Sequence, residues 1–470
     1  MQVTFVVKVG RVFGAAMLSM GLLASAQADT LADALVGAYN HSGLIEQNRA
    51  LLRAADEDVA LAASALKPII NWSAEVQRGF GNNTSVFGLS TGLARTSAEL
   101  GLSADLLLYD FGSSAAGVAA AKETVLATRQ SLIGIEQQVL LRAVSAYMGV
   151  IEASEQVALR QNNLRLLTQE LRAARNRFEV GEVTRTDVAL AEAQLAQSRS
   201  GLATAQGNLL IAIEEYRNIV GRKPGQLAAP PSLPSLSGNV ETAKALAVRN
   251  HPSMLAAQFQ VSASDLQIQR AEANMKPTVN LQGRLLIQES YNSQSSVRSG
   301  SVGVRVTGPI YQGGRLSASA RLAQAQRDAA RGNLHVVRHD TQQRVGDAYA
   351  RLVSARASIE ASQEGIRAAR IAFEGVREEA TLGARTTLDV LNAEQALLEA
   401  QAGLITTQAQ LYISAYAVLE ATGQLTARDL RLPVQIYDPN EYYNLVKDSP
   451  AKISKQGKQL DRVLKRLQRD

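Results

Sequence analysis

The chain has 470 residues, which is enough for two or three average domains or for one elongated domain. Aromatic residues make up only 4% of it, while alanine, leucine, glutamine and arginine recur in long runs, a composition that favours long helices. The formal net charge is +6, but the 49 basic residues are scattered among 43 acidic ones, so no clustered patch indicates nucleic-acid binding. There is no cysteine, which excludes a disulfide framework and lipid attachment to a cysteine.

Residues 1–28 have the pattern of a signal peptide. Lys8 and Arg11 precede the apolar run VFGAAMLSMGLLAS, and residues 26–28 provide a small-x-small cleavage site. The run is too short to cross a bilayer as a helix, and no later segment approaches the necessary length. We therefore expect an exported protein without a transmembrane helix.

The rest of the chain contains one unit that occurs twice. The phrase GEVTRTDVALAEAQLAQSR, which begins at Gly181, returns as GARTTLDVLNAEQALLEAQ at Gly383, an offset of 202 residues. Lys67 and the proline after it return as Lys276 and its proline at an offset of 209 residues. This self-similarity predicts a first repeat at 29–221, a proline-rich linker at 222–238, a second repeat at 239–438, and a basic tail at 439–470. We expect the tail to be mobile, with wrapping around the long helices as the alternative.

Each repeat begins with a helical pattern that ends near a proline, from Leu31 to Leu66 and from Val240 to Met275. Stretches rich in glycine, serine and asparagine lie further along and have the composition of exposed loops. Between the helical patterns and on both sides of these loops, apolar and polar residues alternate. The alternation predicts two strands per repeat, at about 69–78 and 97–108 and at about 278–288 and 299–308.

Two long helical patterns follow in each repeat and meet at the repeated glycine phrase. Val188, Ala191 and Leu195 begin an apolar heptad after the first glycine, and the second copy repeats it as Val390, Ala393 and Leu397, which predicts coiled-coil packing. A continuous helix from Ser113 to Phe178 would be on the order of 100 Å long at 1.5 Å per residue. Such a helix is far longer than a compact domain needs.

The predicted strands allow two interpretations. Strands of about nine residues are long enough to cross a bilayer when tilted, and a β-barrel is the structure that spans membranes without helices. Four strands cannot close a barrel, so the chain would pool its strands with copies of itself. The alternative is an ordinary soluble sheet, but such a sheet does not need the long coiled coils that follow it.

The order of these elements, together with several short motifs, resembles the TolC-like outer membrane efflux protein family. The motifs are GPIYQGGRL from Gly308, its counterpart LLLYDFGSS from Leu106, His251-Pro252 and the two glycine phrases. The resemblance implies a mainly α fold with a transmembrane β-barrel. In such a fold a homotrimer forms a 12-stranded barrel that continues as a periplasmic α-helical barrel.

The resemblance also implies a function and a set of partners. The protein would be the outer membrane exit duct of a tripartite export system, serving type I protein secretion or drug efflux and extending into the periplasm. Its partners would be an inner-membrane transporter, a periplasmic adaptor (a membrane fusion protein) and outer membrane lipid. The same resemblance implies no cofactor and no nucleic acid.

The resemblance places the functional residues at the two tips between the long helices. Asp187 and Asp389 would line the periplasmic constriction, where a ring of carboxylates favours cations. Arg385 would join neighbouring hairpins by bonding Thr186 and Asp187 as the gate network. The surface on which the adaptor docks would include Gly181, Thr184, Gly383 and Thr386.

Three features of the tips qualify this assignment. In each tip a threonine stands three residues before the aspartate, the spacing of a capping box, so the aspartates are equally expected as helix caps. Asn392 stands where family members can carry a second acid, and Ala380 replaces a larger side chain of the closing network. We therefore expect a thinner anionic ring and a closed state that is held more weakly.

No pattern in the sequence indicates an enzyme or a metal site. GLSTG at 88–92 matches a nucleophile elbow but lies in a predicted loop between strands, whereas that motif needs a strand, a turn and a helix. His335 and His339 are four residues apart on a predicted helix, and a solvated face explains them better than a metal. The alternative function is a soluble periplasmic coiled-coil adaptor or scaffold without channel activity.

Overall fold

The protein is an elongated bundle of helices with a four-stranded sheet at one end. The structure, a computed structural model of one chain, describes residues 28–84, 86–88, 90–236, 238–291 and 295–467, so the predicted signal peptide up to residue 27 lies outside the described residues. The elements in chain order are α1 (Leu31–His41), α2 (Gly43–Ser64), β1 (Ile69–Thr84), β2 (Ser90–Tyr109), α3 (Ser113–Glu179), α4 (Arg185–Val220), α5 (Val240–Asn250), α6 (Pro252–Ala273), β3 (Thr278–Ser290), β4 (Ser295–Thr307), α7 (Arg315–Thr381), α8 (Thr387–Ala421), α9 (Pro439–Val446) and α10 (Lys455–Leu467). Within these ranges, no helix combines the length and the apolar character needed to cross a membrane.

The four strands form one antiparallel sheet in the order β1-β2-β3-β4, so the hairpins of the two repeats lie side by side. The predicted strand limits are too short. β1 and β2 continue beyond residues 78 and 97 because Gly79 to Thr84 pair with Arg95 to Ser90. The bonds of a ladder are made by the backbone, so this glycine- and asparagine-rich stretch extends the hairpin although its composition resembles that of a loop.

The long helices run from the sheet to the two tips. α3 and α7 each contain 67 residues, which is about 100 Å of helix, and this length confirms the continuous helix expected from Ser113. α4 returns along α3, and α8 returns along α7. α3 also contacts α8, so the hairpins of the two repeats pack against each other along one protomer. The tips therefore lie about 100 Å from the sheet.

The helical pattern at the start of each repeat is broken into two helices rather than continuous. Ser42 lies between α1 and α2 in an extended conformation, and its hydroxyl caps α2 by accepting from Ile45 N at 3.3 Å. His251 lies between α5 and α6, and its Nδ1 accepts from Ser253 N at 3.2 Å. The proline after His251 disfavours the helical conformation of the residue before it, which explains this second break.

The largest core lies where helices of both repeats converge. It is built around Leu140, Val144, Tyr147 and Tyr216, which are all fully buried. The hydroxyl of Tyr147 donates to the carbonyls of Asp29 at 3.1 Å and Ala228 at 2.7 Å. This tyrosine therefore ties the start of the first repeat to the linker between the repeats.

The C-terminal stretch is packed, in contrast to the mobile tail that we expected. Tyr442 and Val446 of α9 are buried against Ala60 of α2, and the Tyr442 hydroxyl donates to Glu57 Oε1 at 2.7 Å. The apolar side of α10 packs against the same cluster. Few apolar residues are present in this stretch, but they fall at helical spacing, and a helix needs only one apolar stripe to dock.

Candidate functional site

The two tips have the same backbone construction. Gly181 and Gly383 follow the long helices with φ of +81° and +80°, values that L side chains rarely adopt. In the first tip the backbone N–H of Glu182 donates to the carbonyl of Arg177 at 2.9 Å, and in the second tip Ala384 N donates to the Glu379 carbonyl at 2.9 Å. These bonds close the helix ends in the manner of a Schellman motif. An added Cβ would meet no atom within 4 Å at either glycine, so the backbone conformation alone requires glycine.

Each tip then starts its outgoing helix with a complete capping box. Asp187 Oδ2 accepts from Thr184 N at 2.9 Å and from Thr184 Oγ1 at 2.7 Å, while the threonine oxygen accepts from Asp187 N at 3.3 Å. Thr386 and Asp389 repeat this arrangement with distances of 3.0, 2.9 and 3.2 Å. The capping role predicted for both aspartates is therefore present in the structure.

Capping also sets the charge of the two aspartates. The side-chain bond from Thr184 is the main cause that lowers the pKa of Asp187, followed by the backbone bond from the same residue. For Asp389 the backbone bond from Thr386 comes first and the hydroxyl second. Hydrogen bonds to a carboxylate favour its charged form, so both tips carry a fixed negative charge at neutral pH.

The helices that leave the two tips, α4 and α8, contact each other, and a residue that the sequence did not indicate influences Asp187 across them. The side chain of Thr387, the first residue of α8, is the smallest of the causes that lower the pKa of Asp187 in the other tip. Arg385 takes a different partner from the expected one, since its Nε donates to Glu379 Oε2 of its own tip at 2.8 Å. Within the described chain, therefore, Arg385 pairs with Glu379 rather than with Thr186 or Asp187, and Thr186 is exposed.

A buried polar cluster lies just inside the tips and links three helices. Asn163 of α3 donates from Nδ2 to Glu394 Oε1 of α8 at 3.0 Å, and Ser198 of α4 donates to Asn163 Oδ1 at 2.9 Å. All three side chains are at least nine-tenths buried. The other carboxylate oxygen of Glu394 is buried and has no hydrogen-bond partner among the described residues.

Burial gives Glu394 an unusual pKa. Loss of water is the main cause that raises the pKa of this carboxyl to about 7, and the charge of Glu170 adds to it. The bond from Asn163 and the charge of Arg377 act in the opposite direction. Sequence reasoning missed this residue because it counted only apolar side chains. The available signal was an acid at 3-4 spacing between Leu391 and Leu398, which are both buried.

The residues considered for catalysis and metal binding lie apart from the tips. His335 and His339 lie on an exposed stretch of α7, and no group of three metal-binding side chains occurs among the described residues. Gly88 lies in the β1–β2 turn and Ser90 is the first residue of β2. Gly88 and the residues from Ser90 to Gly92 thus belong to a β-hairpin rather than to a strand–turn–helix elbow, while Leu89 lies outside the described residues.

Comparison with known proteins identifies the family. The outer membrane efflux protein family matches residues 37–222 and 245–424. The outer membrane efflux protein BepC of Brucella suis is 37% identical over 439 residues, covering 92% of this chain and 94% of that protein. The outer membrane protein TolC of Escherichia coli K12 is 26% identical over 311 residues, covering 63% of each. The CmeC outer membrane channel of Campylobacter jejuni has the same fold, with a TM-score of 0.74 at 16% identity over 91% of both chains. The chain therefore belongs to the outer membrane efflux protein family, whose TolC-like members are channels of the outer membrane that extend into the periplasm.

Proposed function

We propose that this chain forms the homotrimeric exit duct of a tripartite export system. An inner-membrane transporter supplies the energy, a periplasmic adaptor docks on the hairpin tips, and the duct itself conducts passively. The observation that carries the proposal is the sheet, because its two faces differ in polarity and its apolar face is exposed in the single chain.

The apolar face runs across all four strands in register. Trp72 of β1 lies opposite Leu102 of β2, which lies opposite Leu285 of β3, and these side chains are 76%, 45% and 59% exposed. Val302 and Val304 of β4 continue the face and are also exposed. An apolar patch of this extent marks a surface that meets another protein or a membrane.

The opposite face of the sheet is polar. Arg284 of β3 donates to Glu99 of β2 at 3.2 Å, and Gln282 donates to Asp105 at 3.0 Å. Alternation of an apolar outward face with a polar inward face is the pattern of a transmembrane barrel. The strands contain 13 to 20 residues, more than the roughly 9–11 that a tilted spanning strand needs.

A barrel would also give the two edge strands of the sheet a pairing partner. β1 and β4 each pair on one side only within the described chain, and unpaired edges invite association. In a homotrimer, the edges of each four-stranded sheet would pair with those of its two neighbours and close one barrel of 12 strands. The long helices of the three chains would then surround a conduit that crosses the periplasm.

The tips would form the periplasmic mouth of the duct. In a trimer, Asp187 and Asp389 would supply a ring of carboxylates at the constriction, where a focused field favours cations. The exposed tip residues Gly181, Thr184, Gly383 and Thr386 would contact the adaptor. Arg385 would exchange Glu379 for Thr186 and Asp187 of a neighbouring hairpin when the gate closes.

The cargo is proposed only as a class. An exit duct of this kind receives whatever its inner-membrane transporter selects, so both secreted proteins and small toxic compounds are compatible with the conduit. The transporter, rather than the duct, would distinguish between them.

Single-channel recording in a planar lipid bilayer tests the proposal. The purified protein should give small, cation-selective channels that are mostly closed. Replacing Asp187→Asn and Asp389→Asn removes both charges but retains an oxygen that can cap each helix, and it should lower the cation preference and raise the resting conductance. The matched pair Asp187→Ala and Asp389→Ala removes charge and cap together.

Two results would contradict parts of this proposal. Unchanged selectivity in both double variants would leave the aspartates as helix caps alone. Absence of channels from protein that is folded and trimeric would favour the alternative, a soluble periplasmic coiled-coil adaptor or scaffold. Fractionation separates these two cases, because a duct stays in the outer membrane during a salt wash and a scaffold is released.

A further inference from the structure

The C-terminal helix α10 has a basic face that the exit duct proposed above does not use. Its apolar side chains Leu460 and Leu464 pack against α9 and α2. At 100° per residue, the exposed basic side chains lie within about 80° of arc on the opposite side of the helix; they are Lys455, Lys458, Arg462 and Lys465. The helix is therefore fixed by one face and presents positive charge with the other.

The charge extends beyond the helix. From residue 447 to residue 465 the chain has six basic and two acidic side chains. The acids are Asp448, which is exposed, and Asp461, which is partly covered at the border of the basic face. Ile453 lies among the lysines and is 86% exposed. An exposed apolar side chain between lysines is suited to a surface that combines negative charge with an apolar layer beneath it.

The structure fixes this segment beside the rim of the sheet. The ammonium group of Lys67 donates to the carbonyl of Asp448 and, at 3.2 Å, to that of Ser449. Lys67 precedes β1 by only two residues, so Asp448 and Ser449, which come shortly before α10 in the chain, lie at the end of the sheet that faces the helices. The aromatic rings of Tyr109 and Phe111 lie at the matching end of β2 and are partly exposed, as rings at a membrane–water interface are.

We propose that the basic face of α10, with Ile453 at its start, binds the anionic phospholipid headgroups of the periplasmic leaflet of the outer membrane. The inference rests on the proposed function, since the sheet must lie in that membrane for the leaflet to be within reach. Each lysine close to an anionic surface contributes about fivefold to association, and the effect fades within a Debye length. The C-terminal segment would thus hold the end of the helical bundle that adjoins the sheet against the bilayer.

The position of the segment favours lipid over a protein partner. The adaptor is expected at the tips, which lie about 100 Å away along α3. A neighbouring subunit is a second candidate, but the apolar side of α10, which would suit such a contact, is already covered by its own chain. The exposed side offers mainly ammonium and guanidinium groups, which match phosphate in charge and hydrogen bonding.

A single fluorescent label tests the proposal, and the chain is well suited to it because it has no cysteine. The full-length Ile453→Cys protein carries a polarity-sensitive dye and is reconstituted into vesicles of phosphatidylcholine alone or of equal parts phosphatidylcholine and phosphatidylglycerol. The dye should shift to the blue only with phosphatidylglycerol, and high salt should reverse the shift. A dye at Ala384→Cys, on the exposed second tip, should not respond.

Charge variants separate lipid binding from helix packing. Replacing Lys455→Gln, Lys458→Gln and Arg462→Gln in the labelled protein should weaken tail association on the order of 100-fold and abolish most of the shift. The control Gln456→Ala with Gln459→Ala changes two other residues of α10 without changing its charge, and it should keep the shift.

The outcomes distinguish this inference from the proposed function. Equal emission in both kinds of vesicle, from preparations that conduct as channels, would overturn the lipid site and leave the duct intact. A blue shift already present in detergent that disappears when the trimer dissociates would also overturn it, because a neighbouring subunit would then cover the face. Failure of the protein to insert into vesicles at all would overturn the duct and the lipid site together.

Discussion

Protonation of Glu394 should control how firmly the two hairpins are held together near the tips. Its side chain extends from α8 and accepts a bond from Asn163 of α3, which in turn accepts one from Ser198 of α4. The charged groups around it are Glu170 on α3 and Arg377 on α7. Glu394→Gln replaces the carboxyl by a neutral group of the same shape that keeps an acceptor oxygen for Asn163.

The size and sign of the effect follow from the raised pKa. In the packed state the pKa of Glu394 is about 7, against an ordinary value of 4.5 when α8 is detached. Between pH 4.5 and about pH 7, Glu394 is more often protonated in the packed state than in the detached state. The packed state is therefore most stable below about pH 4.5, and its stability falls as the pH rises to about 7. The free energy needed to detach α8 should therefore be about 3 kcal/mol lower above pH 7 than below pH 4.5, which is a factor of more than 100 in the local opening equilibrium.

Hydrogen exchange measured by mass spectrometry on peptides from the start of α8 reports this opening. After correction for intrinsic exchange rates, the natural protein should lose protection between pH 5 and pH 8, whereas Glu394→Gln should hold nearly constant protection and exceed the natural protein at pH 8. Glu399→Gln, five residues further along α8 and on its exposed side, is the matched control and should behave like the natural protein. Equal loss of protection in the Glu394→Gln and natural proteins would refute the reasoning.

Three further predictions concern stability, measured as the free energy of local opening from exchange or of unfolding in denaturant. Thr386→Ala should lower it by about 1 kcal/mol through loss of the second cap, while Thr386→Ser should recover most of it. Gly383→Ala should cost about 1–2 kcal/mol because its φ of +80° suits glycine, and Gly383→Asn should cost less. Tyr147→Phe should cost about 1–3 kcal/mol because it leaves the carbonyls of Asp29 and Ala228 without their donor; an unchanged midpoint would show that water replaces it.

Local patterns predicted the parts of the fold that local forces decide. The long helix from Ser113, the tip glycines and the two capping boxes depend on spacings of a few residues, and the structure contains each of them. Duplication within the chain and the motifs at the strand–helix junctions were enough to identify the family, which the comparisons confirm.

The features that the sequence did not reveal depend on tertiary context. In α8 the buried stripe runs through Leu391, Glu394 and Leu398, whereas the expected heptad used Ala393 and Leu397. This helix packs against both α7 and α3, so its buried face is rotated from the one that pairs with α7 alone. A buried acid in that stripe needs a hydrogen-bond donor, and the donor is Asn163, which lies more than two hundred residues earlier in the chain.

Capping at the tips is compatible with the ion selection that we propose for the two aspartates, because the bonds that cap each helix also favour the charged form of the carboxylate. In each tip a single oxygen, Oδ2, takes both bonds from the threonine. These bonds lower the pKa of Asp187 and Asp389. In the proposed ring, where like charges would raise the pKa of each carboxyl, capping would therefore help to keep the carboxylates charged. A constriction built from uncapped acids would partly neutralise itself as the trimer closed. If the mouth is built as we propose, the repeated threonine contributes to its selectivity. Thr184→Ala with Thr386→Ala should then shift the pH at which cation preference is lost to a higher value in single-channel recordings.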